Sequence, residues 1–250
     1  MKKAMAALAA LLLVGCGTGG PAAPAEEATL TVFAAASMKT TFTELGAKFE
    51  AAHPGVTVTF NFAGSQDLVD QILNGAAADV FAAANESTMQ KVVDGGLAAA
   101  DPVLYATNSL MIAVPPDNPA NIAWFPDLAK DGLNLVICAP EVPCGAATVK
   151  VEEATGITLN PVSEEQAVSD VLAKVQSGEA DAGLVYATDV LSAGDTVLGI
   201  QFDEAKNAVN NNPIVVLKDA PQAELAQAFV DLVLSDEGQE LLQNAGFGKA

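Results

Sequence analysis

After residue 28, short apolar runs alternate along the chain with segments whose apolar residues recur every three or four positions. Leu30 to Ala36 (LTVFAAA) is almost wholly apolar, as a strand covered on both faces must be. From Ser37 to Ala52, Phe42, Leu45 and Phe49 fall on one side of a helix, which His53-Pro54-Gly55 stops. Val56 to Phe62 alternates as a second strand, and Gly64-Ser65 leads into a helix carrying Leu68, Val69, Ile72 and Leu73. The pattern places further strands at Asp79–Ala83, Ser109–Val114, Leu133–Ala139, Ala182–Ala187 and Ile214–Leu217. Further helices are expected at Ser87–Gly95, Gly145–Thr155, Ser163–Gly178 and Gln222–Ala245. Strand and helix in alternation define an α/β class with mostly parallel sheet.

At 250 residues and 51% hydrophobic side chains, the chain can bury a large core and is no disordered polymer. Two polar interruptions stand out: Pro102 to Thr107, and Asn207 to Pro213 (NAVNNNP). If both are hinges, one lobe comprises 29–106 with 213–250, the other 107–212, and a cleft lies between them. A monomer is expected.

Met1-Lys2-Lys3 precedes an apolar run from Ala4 to Val14, too short to cross a bilayer but of signal-peptide length. Leu13-Val14-Gly15-Cys16 resembles the lipobox of bacterial lipoproteins. That resemblance implies removal of residues 1–15 and lipidation of Cys16, leaving the Gly/Pro/Ala-rich stretch 16–28 as a tether outside the cytoplasm. Membrane attachment then comes from lipid alone. The balance of 11 Lys+Arg against 31 Asp+Glu, net −20, repels anionic headgroups, DNA and RNA alike.

One His and three Cys are too few for a zinc site of the usual Cys/His kind, and no metal cation or cofactor is expected. Serine hydrolysis lacks a base, since His53 sits in the helix-ending turn, and Ala63-Gly64-Ser65-Gln66-Asp67 is no G-x-S-x-G elbow. Glu152-Glu153 and Glu164-Glu165 read as solvated helix faces. Trp124 and Phe125 read as core aromatics, with a pocket for an organic solute as the alternative. In an exported chain, Cys138 and Cys144, separated by a proline-containing turn, are expected to form a disulfide. The alternative is two buried thiols packed as small apolar groups.

Four junctions put Ser, Gly or backbone amides at a helix start: Ala36-Ser37, Ala63-Gly64-Ser65, Pro143-Cys144-Gly145, and the start of the Ser163 helix near Val168. In a parallel sheet such junctions share the carboxyl edge, and helix N-termini offer unpaired N–H groups to anions.

Val32-Phe33-Ala34-Ala35-Ala36-Ser37, Phe62-Ala63-Gly64-Ser65, Gly75 to Phe81 (GAAADVF), Asn108-Ser109-Leu110, Val142-Pro143-Cys144-Gly145, and Ala180 to Asp189 (ADAGLVYATD) come in one order. In that order, ending in Asn244-Ala245-Gly246-Phe247, they resemble the periplasmic molybdate-binding proteins of ABC transporters. The resemblance implies a two-lobed type II solute-binding fold, each lobe a mostly parallel sheet flanked by helices, the lobes joined by two hinge strands. It implies a binding protein rather than an enzyme, holding molybdate or tungstate and delivering it to an ABC permease; the alternative is a receptor for another oxyanion such as sulfate or for a small organic solute. The family's ligand contacts carry over to the hydroxyl and N–H of Ser37 and Ser65, the N–H groups of Cys144 and Val168, and the hydroxyl of Tyr186. Where this chain has Cys144, the family usually has Ala.

Overall fold

The computed structural model describes residues 27–250. The expected signal segment, Cys16 and most of the tether lie outside the described residues.

In chain order the strands are β1 (Ala28–Ala35), β2 (Val56–Ala63), β3 (Val80–Ala82), β4 (Val103–Asn108), β5 (Leu110–Val114), β6 (Leu135–Cys138), β7 (Ser163–Glu165), β8 (Ala182–Tyr186), β9 (Leu198–Ile200) and β10 (Asn210–Val216). The helices are α1 (Lys39–Ala52), α2 (Ser65–Leu73), α3 (Glu86–Asp94), α4 (Pro143–Thr155), α5 (Val168–Gln176), α6 (Ala187–Ala193), α7 (Ala223–Leu234) and α8 (Asp236–Asn244).

The strands form two five-stranded sheets, β2-β1-β3-β10-β4 and β7-β6-β8-β5-β9. In the first, β2, β1 and β3 run parallel while β10 opposes both β3 and β4; in the second, β7, β6 and β8 run parallel while β5 opposes both β8 and β9. Each sheet therefore has four strands in one direction and one reversed. The reversed strand is in each case the one that enters from the other sheet. The chain crosses from β4 to β5 at Ser109 and returns between β9 and β10.

The all-apolar β1 is buried on both sides for a simple reason. Leu30, Val32 and Ala34 pack in the core that holds Phe42, Leu45 and Phe49 of α1, whereas Phe33 packs with Leu68, Val69 and Ile72 of α2. Helices on both faces of a central strand require apolar residues at consecutive positions. At the sheet edge, β2 alternates instead, with Thr57 and Thr59 exposed. Phe229 of α7 closes the first lobe, its ring 6.0 Å from that of Phe42 and 5.5 Å from that of Phe49.

Several expectations change. The span Ser163–Gly178 is not one helix: Ser163–Glu165 pairs with β6 as edge strand β7, and α5 starts only at Val168. Ala167 is extended and precedes the helix as its N-cap, so Val168 becomes the first helical residue. Gln222–Ala245 is likewise two helices broken at Ser235, whose hydroxyl accepts the Gly238 N–H and caps the second. The polar segments read as interruptions are largely strand, for β4 covers 103–108 and β10 covers 210–216. The expected boundaries at 106/107 and 212/213 thus fall inside the first sheet, and the crossings lie beside it.

Candidate functional site

Five strands, β1, β2, β6, β7 and β8, end in helical segments, and their carboxyl ends meet between the two sheets. After β1 a 3-10 turn, Ala36–Met38, carries Ser37 into α1. Ser65 is the first residue of α2 behind Gly64, Cys144 the second of α4 behind Pro143, and Val168 the first of α5. Tyr186 ends β8 and precedes α6. All five residues expected to contact a ligand line one small cavity of about 20 Å³. The N–H groups of Ser65, Cys144 and Val168 belong to first turns, where a helix supplies no acceptor.

The lining includes no Lys, Arg, His, Asp or Glu. Lys39, the nearest cation in sequence, is exposed on α1. The cavity's polarity therefore comes from hydroxyls, amides and helix dipoles.

The hydroxyls are set up as donors. Ser65 Oγ accepts the Ala84 N–H at 3.0 Å, so its own proton remains for another acceptor. Tyr186 Oη accepts from Asn210 Nδ2 at 2.6 Å, with the same consequence. Burial first, then the nearby Asp189 carboxylate, pushes the Tyr186 pKa upward, which keeps the phenol protonated. Ser37 Oγ is buried without any partner; among the described residues the other such side-chain atoms are the amide atoms of Asn212, which lies outside the cavity lining. An orphaned buried hydroxyl costs about 1–3 kcal/mol. It stands beside two other hydroxyls and three helix-start amides, so the polar groups lining the cavity are predominantly donors.

The α4 start is held tightly. Cys138 and Cys144 are disulfide-bonded, with Cα atoms 5.6 Å apart. Beside them, a Cβ on Gly145 would lie 1.8 Å from the Ala139 carbonyl oxygen, so only glycine allows this approach. Behind the cavity, Asp189 accepts the Tyr186 N–H at 2.9 Å, and burial raises its carboxyl pKa to about 7.

The two lobes touch around the site. A Cβ built on Gly64 of the first would stand 2.1 Å from the Gln166 carbonyl oxygen of the second. The Thr40 and Ser192 hydroxyls bond across the lobes at 2.8 Å. Burial, then Asp70, then Asp170 of the opposite lobe raise the pKa of Asp67 in the first turn of α2.

Other expectations fare differently. Trp124 is 59% exposed rather than core, whereas Phe125 is fully buried with its ring 5.3 Å from that of Phe202. Glu165 lies on β7, paired with Lys174, and not on a helix face. His53 ends α1, and its Nδ1 donates to the Phe49 carbonyl at 2.9 Å. Sequence reasoning missed Ala84, Gln166 and Asn210. The only trace of the last was the polar run Asn207 to Pro213, which marks an interruption without revealing which asparagine turns inward.

Residues 30–248 match the family model described as bacterial extracellular solute-binding protein. The molybdate-binding protein ModA of Mycobacterium tuberculosis is 48% identical over 242 residues, covering 95% of this chain and 93% of its own. Among solved structures, the Azotobacter vinelandii periplasmic molybdate-binding protein superposes with a TM-score of 0.78 at 22% identity, over 88% of this chain and 99% of that one. The sulfate-binding protein SubI of M. tuberculosis gives a TM-score of 0.76 at 19% identity, over 90% and 88% respectively. These last two likenesses concern the fold. The span of the family match, together with near full-length similarity to a named relative, makes this chain a member of the bacterial extracellular solute-binding proteins.

Proposed function

We propose that the protein is an extracytoplasmic lipoprotein, anchored through Cys16, that captures molybdate or tungstate between its two lobes and hands it to an ABC permease. The lobes are 27–108 with 210–250, and 109–209. Ser37, Ser65 and Tyr186 donate through hydroxyls; Ser37, Ser65, Cys144 and Val168 donate through main-chain N–H groups. The Cys138–Cys144 bridge braces the Cys144 donor.

The observation that carries this reading is the cavity of uncharged donors whose hydroxyl protons are left unspent by the protein. A fully ionised tetrahedral anion offers only acceptors and takes every one of them. Seven hydrogen bonds to a charged acceptor at about 1.5 kcal/mol each give roughly 10 kcal/mol, the scale of submicromolar binding. Protonated phosphate would set a P–OH against main-chain N–H groups that cannot accept it, which costs affinity. Sulfate matches in charge and shape and differs in size. The 48% identical relative named for molybdate selects among these anions.

Calorimetry with molybdate, tungstate, sulfate and phosphate tests the proposal. Tight molybdate and tungstate binding with sulfate at least about tenfold weaker is expected, a gap of 1.4 kcal/mol. Equal affinity for sulfate would refute the specificity, and binding of none of the four would refute the oxyanion reading. Among the described residues no helix is long and apolar enough to cross a membrane. Membrane retention therefore tests the anchor: Cys16→Ser should release the protein, and a variant that stays with the membrane argues against lipidation.

A further inference from the structure

Both crossings between the sheets carry a buried asparagine, and the two are partners in the ladder: Asn108 ends β4, Asn210 opens β10, and they pair in register. Each reaches into the second lobe. Asn108 Nδ2 donates to Thr188 Oγ1 at 2.8 Å, and its Oδ1 accepts the Ser109 N–H at 3.0 Å. Asn210 Nδ2 donates to Tyr186 Oη at 2.6 Å and to the Pro143 carbonyl at 3.2 Å.

The orientation of the Asn210 amide is forced. The Pro143 carbonyl can only accept, so the nitrogen and not the oxygen of the amide must face it. The same nitrogen then meets Tyr186. A phenol oxygen that receives an amide proton cannot donate to that amide, so its single O–H must turn elsewhere, and Tyr186 lines the cavity. The second contact falls on the first residue of α4, next to Cys144. One side chain on the returning strand thus touches two of the groups placed around the anion.

We propose that Asn210 is a positioning residue of the anion site, fixing the Tyr186 hydroxyl as a donor toward the cavity. The inference rests on the oxyanion reading and deepens it. Through Asn210, the strand that joins the lobes and the ligand-binding hydroxyl are set together. Without it the hydroxyl rotates freely and can present a lone pair to the anion.

A double-mutant cycle in molybdate dissociation constants tests this on the mature protein. Asn210→Ala should weaken binding about tenfold in the Tyr186 background but no more than about twofold in the Tyr186→Phe background, because its effect passes through the phenol. A purely structural role would weaken binding by the same factor in both backgrounds, and that result overturns the inference, as does unchanged affinity of Asn210→Ala. Should the alanine variant fail to fold, Asn210→Asp repeats the cycle at nearly constant size. Its carboxylate accepts a hydrogen bond from the phenol O–H and turns it from the cavity, so a greater loss beside Tyr186 than beside Phe supports the inference, and equal losses overturn it. Wild-type protein that binds no molybdate refutes the oxyanion reading and this inference with it; wild-type binding with equal losses in both backgrounds sinks the inference alone.

Discussion

Gly64→Ala separates lobe closure from lobe stability. The backbone at Gly64, φ −57° and ψ 137°, suits alanine, so the substitution strains nothing inside the first lobe. Two local effects are small and opposed: alanine caps a helix less well than glycine, while the loss of glycine's freedom in the unfolded chain stabilises by about 0.4–1 kcal/mol. The clash lies with the other lobe. The new Cβ would be 2.1 Å from the Gln166 carbonyl oxygen, where contacts below 3.0 Å essentially never occur. Relief requires the lobes to part there by about 1 Å, and the obstacle is backbone, which cannot swing aside. Val168 lies two residues beyond Gln166, so its N–H withdraws with it. Losing the Val168 and Cys144 bonds at about 1.5 kcal/mol each amounts to roughly 3 kcal/mol, or more than 100-fold in Kd. Calorimetry with molybdate reads the affinity, and thermal unfolding of the ligand-free protein reads the fold. Near wild-type affinity would refute the reasoning, because the lobes would then close without that contact. A drop in melting temperature large enough to account for the weakened binding would refute it equally, by showing damage inside one lobe.

The two site serines should behave oppositely in the ligand-free protein. Ser37→Ala removes an orphaned buried hydroxyl and should raise stability by about 1 kcal/mol, while Ser65→Ala strands the Ala84 N–H and should lower it by about 1–3 kcal/mol. Both should weaken molybdate binding by about tenfold or more, so denaturant melts showing equal stability changes would count against the hydrogen-bond assignment. Asp189 predicts a pH dependence: burial lifts its folded pKa to about 7, well above the ordinary carboxylate range, so the folded state holds a proton that the unfolded state has released. Stability should therefore fall as pH rises from about 4 to about 7 and level off above, by roughly 2 kcal/mol between about pH 5.5 and neutrality. Asp189→Asn, which keeps an acceptor for the Tyr186 N–H, should flatten that slope in thermal melts, and an unaltered slope would clear Asp189 of the effect.

Much of the fold is legible in the residues because periodicity is local. The alternation of LTVFAAA with the Phe42, Leu45 and Phe49 stripe depends only on neighbours two to four positions away, and it correctly places β1 and α1. Where local signals conflict, reading by period fails. Ser163–Glu165 carries polar side chains that suit a helix surface, and only its pairing with β6 makes it a strand, which moves the start of α5 to Val168. Likewise Val103–Asn108 becomes β4 through its partnership with β10.

The site divides in the same way. Ser37, Ser65, Cys144, Val168 and Tyr186 could be named from motifs and their order. Which way their protons point could not, because Ala84 and Asn210, which receive no signal from sequence neighbours, hold the acceptor side of Ser65 and Tyr186. The amino-acid order determined strands, helices and the identity of the polar groups, all of which follow from short-range pattern. The tertiary structure alone decided that five helix starts from two sheets meet in one uncharged cavity, that Gly64 meets Gln166 across it, and that the buried Ser37 hydroxyl has no partner among the described residues. Those facts depend on sheet order and lobe contact between residues far apart in the chain, and no local period encodes them.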